Sequence, residues 1–259
     1  KVLKFGGSSL ASAARFAEVA HIVHRQAMAE PLILVLSAPH GVTNSLLRLV
    51  DQAKTGTDFS ADLQQLRARL LELVESAKTM LDAGQFEALQ HFTDQHLETI
   101  GQYVQGIRLL SYCPDSIQAR ILGAGEQFSV RLMQALLLAR QARCAVLDAA
   151  QLVRSQGDYL NAVADIPATH AAFAAVDFQD GVDIRIMAGF VSSLPNGELA
   201  LLGRNGSDYS AAIIAAGVRA SACEIWTDVD GVYSADPRQV KNAKLIEQLS
   251  YAEAMELSY

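Results

Sequence analysis

The sequence predicts an α/β fold with a mostly parallel sheet, because strand–loop–helix units recur along the chain. The apolar segment at residues 2–5 precedes a glycine turn and a stretch with helical spacing. Residues 32–36 (Leu-Ile-Leu-Val-Leu) precede a polar loop and a second such stretch, and a continuous apolar run of this kind is typical of a central parallel strand. Later strands are expected near residues 145–147, 184–188, 198–202 and 222–227. This alternation is typical of a doubly wound sheet.

Helices are predicted where apolar residues recur every three or four positions. A first helix follows the glycine turn, with Ser8 and Ser9 as candidate caps. A single helix is expected from Asp115 to about Arg140, and shorter helices near residues 171–175, 207–216 and from 251 onward.

A helical insertion is expected at about residues 58–112, where leucines keep a three-four spacing. The break at Asp82-Ala-Gly84 favours two antiparallel helices over one long coiled coil. Because no internal repeat and no linker rich in proline or serine interrupts the pattern, we expect one domain over residues 1–259. Lys1 opens directly into a strand and the last helix has no cap, so we also expect the natural protein to continue at both ends.

Composition limits the possible partners. The chain has 28 acidic and 21 basic residues, a net charge of −7, and no basic stripe, which argues against nucleic acid or an anionic membrane as a partner. Three widely spaced cysteines (Cys113, Cys144 and Cys223) form no metal pattern and fit a reducing cytoplasm as buried small hydrophobes. The six histidines also lack a metal-binding pattern and are expected on helix surfaces or loops, with His40 near a functional loop. They are His21, His24, His40, His91, His96 and His170.

Two glycine loops carry the first functional signal. Lys4-Phe-Gly-Gly-Ser-Ser9 and Gly203-Arg-Asn-Gly-Ser-Asp-Tyr-Ser210 each combine a turn, a cation and the start of a helix, an arrangement that favours anions. The Lys4 loop has neither the spacing of a Walker P-loop nor that of a dinucleotide-binding turn. The structural alternative is an ordinary capped turn beside a solvated lysine. Two anion-binding loops, each with its own cation, favour the interpretation that the protein catalyses phosphoryl transfer.

Three acidic residues have both a structural and a functional interpretation. Glu126 lies among small residues on an apolar helix; it either faces solvent, which the sequence alone favours, or is buried beside the ammonium group of a ligand. Asp208 and Asp228 follow tight turns, where each is either a simple cap or a group that holds a lysine or contacts a metal-bound nucleotide through water.

The sequence offers no clear general base. A carboxylate acceptor needs none, because its pKa near 4 leaves it ionised at neutral pH. Such a reaction requires positioning and charge neutralisation, which a lysine, an arginine and glycine-loop amides provide.

Four ordered blocks then resemble the catalytic domain of aspartokinases, members of the amino-acid-kinase family. They are Lys4–Ser9, Gly125-Glu126 with Ser129, Gly203–Ser210 and Trp226-Thr-Asp-Val-Asp-Gly-Val-Tyr-Ser-Ala-Asp-Pro-Arg238. The likeness covers the whole chain. Residues 111–117 and 250–258 are most similar to the N-terminal kinase domain of the threonine-sensitive, bifunctional aspartokinase–homoserine dehydrogenases.

The resemblance implies the three-layer amino-acid-kinase (carbamate-kinase-like) fold and ATP-dependent phosphorylation of L-aspartate to 4-phospho-L-aspartate, with Mg²⁺ held mainly by ATP. It implies no metal site made by the protein. The implied catalytic residues are Lys4 and Asp208, and the implied substrate-binding residues are Thr43, Glu126, Arg204 and Ser207. The implied nucleotide-binding residues are Gly6, Gly7, Ser8, Gly189, Thr227, Asp228, Tyr233 and Arg238.

The resemblance also implies a setting for the chain: a cytoplasmic homo-oligomer acting at the first step toward threonine, methionine and lysine. Aspartate would bind to residues of about 1–190 and the nucleotide to residues of about 200–259. Regulatory ACT domains, a homoserine dehydrogenase domain and the family's next nucleotide-side lysine would lie beyond this sequence. Ser8 stands where many members have threonine. The alternatives are a kinase for a related acid such as N-acetylglutamate, or a nucleotide-binding or oligomerisation module without turnover.

Overall fold

A computed structural model of the protein describes residues 1–203, 206–237 and 239–257. The chain divides into two compact units, residues 1–226 and residues 227–259. In the first unit the strands are β1 (Val2–Phe5), β2 (Leu32–Leu36), β3 (Cys144–Val146), β4 (Ser155–Gln156), β5 (Val163–Ala164), β6 (Ile184–Ala188), β7 (Val191–Ser193), β8 (Leu199–Leu201) and β9 (Cys223–Trp226).

The helices of the first unit lie between and after these strands. They are α1 (Ala13–Ala27), α2 (Val42–Thr55), α3 (Ser60–Ala77), α4 (Ala83–Leu110), α5 (Asp115–Leu122), α6 (Ala124–Ala139), α7 (Ala149–Leu152), α8 (Ile166–Ala174) and α9 (Gly206–Gly217). In the second unit, α10 (Tyr251–Leu257) follows an irregular segment in which Tyr233 bridges Leu245.

Five strands form one parallel sheet in the order β3–β6–β2–β1–β9. The apolar β2 lies at its centre, as the sequence predicts, and all five of its residues are buried. Helices α1 and α6 pack on one face of the sheet, and α9 packs on the other together with α8. The predicted three-layer α/β architecture is therefore confirmed.

The expected pair of helices at residues 58–112 is present as α3 and α4. An ion pair between Arg67 and Asp94 (3.2 Å) and the Lys78 ammonium above the Phe86 ring (4.8 Å) show that the two helices run antiparallel. The break occurs where Asp82 begins α4 with a capping box that includes Gln85. This hairpin packs against α1, α2 and α6.

Several local expectations were wrong. The α1 cap is Ser12, whose hydroxyl accepts a hydrogen bond from Arg15 N–H, because residues 7–10 form a separate 3₁₀ turn after the glycines. The expected single helix from Asp115 is instead two helices, α5 and α6, that meet at Gly123. A Cβ at Gly123 would lie 3.1 Å from Val191 and 3.3 Å from the Ala119 carbonyl, so glycine permits this close junction.

The cysteines and one histidine also differ from expectation. Cys113 is buried, but Cys144 is half-buried and Cys223 is exposed on the edge strand β9. His96, expected on a helix surface, is half-buried, because α4 packs that side against α6.

The central strand provides a test of the core. Leu34 is 0% exposed, so Leu34→Ala should lower the free energy of unfolding by about 2–5 kcal/mol, through lost burial and the cavity that remains. Leu109→Ala is the control, because Leu109 is 76% exposed. Denaturant unfolding of both variants measures the difference. Equal stability of the two variants would contradict the placement of β2.

Candidate active site

A cavity of about 990 Å³ opens at the carboxyl ends of β1, β2 and β6. Ligands of open parallel sheets bind at this edge, because the loops that leave the strands gather there. The walls come from the loop after β1 (Gly7 and Ser8), the loop after β2 with the start of α2, the first turn of α6, and the start of α9. The loops that carry the sequence motifs therefore converge.

Lys4 lies at this edge beneath the first glycine turn. Its side chain is 8% exposed, and its ammonium is 2.5 Å from Asp208 Oδ1 on the first turn of α9. A Cβ at Gly6 would lie 3.4 Å from Lys4 Nζ, so the turn passes directly over the ammonium. Of the two interpretations of Asp208, the structure supports the one in which it holds a lysine.

The start of α9 is fixed by hydrogen bonds to two neighbouring strands. Ser207 Oγ accepts a hydrogen bond from the Ser37 hydroxyl at the end of β2 (2.9 Å). Ser210 Oγ accepts from Phe190 N–H (2.7 Å) and donates to the Gly206 carbonyl (2.6 Å). These contacts hold Ser207 beside the cavity.

A glycine after β6 allows the close packing of this region. A Cβ at Gly189 would lie 2.8 Å from Ser207 Cβ, closer than real Cβ atoms approach one another. The next residue, Phe190, has a φ of +66°, a left-handed conformation that is uncommon outside glycine. The turn after β6 therefore packs directly on the helix that carries Ser207 and Asp208.

Glu126 is buried, so the interpretation that placed it in solvent was wrong. It is 4% exposed and lines the cavity from the first turn of α6. The reason is Gly125: a Cβ there would lie 2.6 Å from Ala38 Cβ, so the glycine lets the helix pack against the loop after β2.

The Glu126 carboxyl is electrostatically unusual. Burial raises its pKa to about 7, against the lowering effect of hydrogen bonds from the backbone N–H groups of Ala38 and of Glu126 itself. Among the described residues, neither Glu126 Oε2 nor the buried Ser129 Oγ has a hydrogen-bond partner. A buried carboxylate beside a cavity attracts a cation, because burial makes the unpaired charge costly.

The family of the chain is shown by its similarity to known proteins. The profile of the amino acid kinase family matches residues 1–259. The chain belongs to the amino acid kinase family.

Two curated relatives in the family carry the name bifunctional aspartokinase/homoserine dehydrogenase. The protein of Haemophilus influenzae is 38% identical over 260 residues, and that of Buchnera aphidicola is 35% identical over 260 residues. Each alignment covers 100% of this chain and 32% of the relative. The chain thus spans about a third of the length of these relatives.

A solved structure has the same fold. Escherichia coli aspartokinase III, crystallised with aspartate and ADP in its R-state, superimposes with a TM-score of 0.87 at 30% identity, over 99% of this chain and 55% of that one.

The structure gathers most of the predicted site residues of the first unit. Gly7, Ser8, Thr43, Glu126 and Ser207 line the cavity. Four further predicted residues lie beside these walls. The ion pair joins Lys4 to Asp208, Gly6 packs over the Lys4 ammonium, and Gly189 packs on Ser207. Arg204 and Arg238 lie outside the described residues.

Three predicted nucleotide-binding residues belong to the second unit. The Thr227 hydroxyl donates to Asp228 Oδ1 (3.1 Å), and the Tyr233 hydroxyl donates to Asp230 Oδ2 (3.3 Å). Their assignment to a nucleotide stays a prediction.

The polar side chains of Ser37, Asn44 and Asn161 line the cavity but were not among the predicted site residues. Ser37 had an available signal, since it directly follows a buried parallel strand. Asn161 had none: its segment reaches the cavity through tertiary hydrogen bonds, from Leu201 N–H to the Tyr159 carbonyl (2.7 Å) and from Ala162 N–H to the Leu201 carbonyl (2.8 Å).

No group of three or more His, Cys, Asp or Glu side chains in residues 1–203, 206–237 and 239–257 is placed to hold a metal ion. Within the same residues, no helix has the length and hydropathy needed to span a bilayer.

The raised pKa of Glu126 predicts a pH-dependent effect of Glu126→Gln. The folded-state pKa of about 7 exceeds the ordinary value of 4.5, so the folded protein binds the extra proton more tightly. The carboxyl therefore costs stability as the pH rises through about 7. Without ligand, the variant should have a higher Tm than the wild type near pH 8, and this difference should shrink near pH 5. Thermal unfolding at both pH values measures it; a Tm difference independent of pH would contradict the assignment.

Proposed function

We propose that the chain transfers the γ-phosphoryl group of ATP to the side-chain carboxylate of L-aspartate, giving 4-phospho-L-aspartate. The observation that carries the proposal is one cavity edge with two features: the buried Lys4 ammonium paired with the partly exposed Asp208 carboxylate, and a buried Glu126 carboxylate oxygen that has no hydrogen-bond partner among the described residues. The similarity to proteins named aspartokinase, one of them crystallised with aspartate and ADP, supports it.

In this proposal Glu126 binds the substrate ammonium. An ammonium supplies the positive charge that the buried carboxylate lacks, and its approach favours the ionised form of Glu126. Thr43 and Ser207 offer hydroxyl donors on two other walls of the cavity. Arg204, which lies outside the described residues, is assigned to a substrate carboxylate from the family resemblance. An acetylated amino acid has no ammonium group, so burial of Glu126 argues against N-acetylglutamate as the substrate.

The acceptor carboxylate needs no general base, because it is already ionised at neutral pH. The chain supplies charge neutralisation instead: Lys4 stabilises the negative charge on the transferring phosphoryl group. Asp208 holds the lysine ammonium in place through the ion pair, which fixes its direction before the substrates bind.

In the first unit, the glycine loops are assigned to the phosphates of the nucleotide. Backbone N–H groups of Gly6, Gly7 and Ser8 lie at the edge where phosphates are expected. Gly189 is assigned to the same edge for its close packing on Ser207, since its own N–H donates to the Leu36 carbonyl (2.9 Å). In the second unit, Thr227, Asp228, Tyr233 and Arg238 keep their assignment to the nucleotide as a prediction from the family resemblance. Mg²⁺ would be held mainly by the phosphates of ATP and would neutralise part of their charge.

The proposal extends to the wider setting of the chain. Because each relative is about three times as long as this chain and is named for two activities, we propose that the kinase works beside a homoserine dehydrogenase domain and regulatory ACT domains. Cytoplasmic location, homo-oligomerisation and a place at the first step toward threonine, methionine and lysine belong to this proposal.

A hydroxamate assay tests the activity. Purified protein is incubated with ATP, Mg²⁺ and hydroxylamine, together with aspartate, N-acetylglutamate or no acceptor. The proposal expects hydroxamate when aspartate is the acceptor, and none with N-acetylglutamate or without an acceptor. Product with N-acetylglutamate would identify the alternative kinase, and nucleotide binding without any hydroxamate would favour a module without turnover.

Replacing the lysine should affect the chemical step. Lys4→Ala removes the cation that stabilises the transferring phosphoryl group, so kcat should fall by about 10²-fold or more. Lys78→Ala is the matched control, because Lys78 lies in the turn between α3 and α4 with a 56% exposed side chain. Steady-state kinetics of both variants decide the point: near-normal turnover of Lys4→Ala would remove Lys4 from the mechanism.

Replacing the glutamate should affect substrate affinity. Glu126→Ala removes the partner of the substrate ammonium, so the KM for aspartate should rise while the KM for ATP stays constant. In the wild type, the KM for aspartate should rise as the pH falls below about 7, because the carboxyl becomes protonated. Initial rates across pH measure both effects. A KM for aspartate that is unchanged in the variant would refute this role.

A further inference from the structure

The helical hairpin makes a polar contact with the helix that carries Glu126. His96 Nε2, on α4, lies 2.8 Å from the Ala124 carbonyl oxygen at the start of α6. The imidazole stacks on Phe92, with ring centroids 5.1 Å apart and an angle of 23° between the planes. Because burial lowers the pKa of His96, the ring is neutral at neutral pH, and its Nε2–H donates to the carbonyl.

The same turn of α6 is held from its other side. Gly125 packs against the loop after β2, where an added Cβ would lie 2.6 Å from Ala38 Cβ and 3.1 Å from Val42 Cγ1. The first turn of α6 is therefore fixed between α4 and this loop. Glu126 follows Ala124 by two residues, so a shift of that carbonyl moves the carboxylate as well.

We propose that His96 is a positioning residue that sets the place of the Glu126 carboxylate and thereby the affinity for the substrate ammonium. This inference rests on the proposed function, because it assumes that Glu126 binds an ammonium group. The interaction of a buried carboxylate with a cation depends strongly on their separation, since little water screens it. The hairpin would then contribute to substrate binding although it lies outside the cavity.

The hairpin does not need His96 in order to pack. Leu97, Ile100 and Val104 are buried on α4, so α4 keeps its apolar contacts when the imidazole is replaced. The charged groups near the ring are Arg120, which lines a small cavity of about 150 Å³ beside it, and Arg131, above the Phe92 ring at 5.5 Å. Neither arginine can accept the Nε2–H hydrogen bond.

Three variants separate positioning from simple stability. His96→Gln can place an amide N–H near the position of Nε2, whereas His96→Asn is too short to reach the carbonyl. His91→Asn is the matched control, because His91 is exposed on the same helix. For each purified variant, the Tm, kcat and the KM values for aspartate and ATP are measured.

His96→Asn should raise the KM for aspartate by roughly 2- to 10-fold, the scale of one hydrogen bond, with the KM for ATP unchanged. His96→Gln should recover part of this loss, and His91→Asn should match the wild type. A wild-type KM for aspartate in folded His96→Asn would overturn the inference. So would equal losses for aspartate and ATP, which a general structural role predicts.

A second measurement does not depend on activity. The titration of Glu126 in protein with ¹³C-labelled glutamate is followed by NMR without substrate, in the wild type and in His96→Asn. A changed midpoint for Glu126, partly restored by His96→Gln, supports the positioning of the Glu126 carboxylate by His96 even if no hydroxamate forms and the proposed function fails. An unchanged midpoint in folded His96→Asn overturns it.

Discussion

The ion pair between Lys4 and Asp208 is the interaction on which the site depends. It joins the first strand of the sheet to the start of α9, two elements far apart in the sequence. The pair forms because β1 is parallel to its neighbours, so that its carboxyl end and the loops after β2 and β6 meet at one edge. A buried ammonium needs a partner, and Asp208 supplies it without filling the cavity.

Glu126 is the complementary feature, a buried negative charge whose partner is missing among the described residues. An unpaired buried carboxylate lowers stability, and such groups often mark functional sites. The arrangement favours a substrate that brings its own positive charge. In the proposed arrangement, the substrate ammonium meets the Glu126 carboxylate, and the reacting carboxylate of the substrate lies toward Lys4.

Glycines allow these charged groups to lie so close to the backbone of other elements. A side chain at Gly125 would overlap Ala38, and one at Gly189 would overlap Ser207. Close packing of this kind restricts movement of α6 and α9 relative to the sheet, because well-packed interiors adjust little. The His96 hydrogen bond extends the same restraint to the helical hairpin.

The sequence by itself determined the α/β class, the strands β1, β2 and β6, the antiparallel helices and the glycine loops, because these features depend on residue spacing within short segments. It also carried the family likeness through its ordered blocks. Only the tertiary structure decided that Glu126 is buried, that Asp208 is paired with Lys4, and that Ser37, His96 and Asn161 lie at or near the site. Each of these outcomes depends on which distant segments meet, and the crossover connections of the sheet control that, whereas local spacing does not.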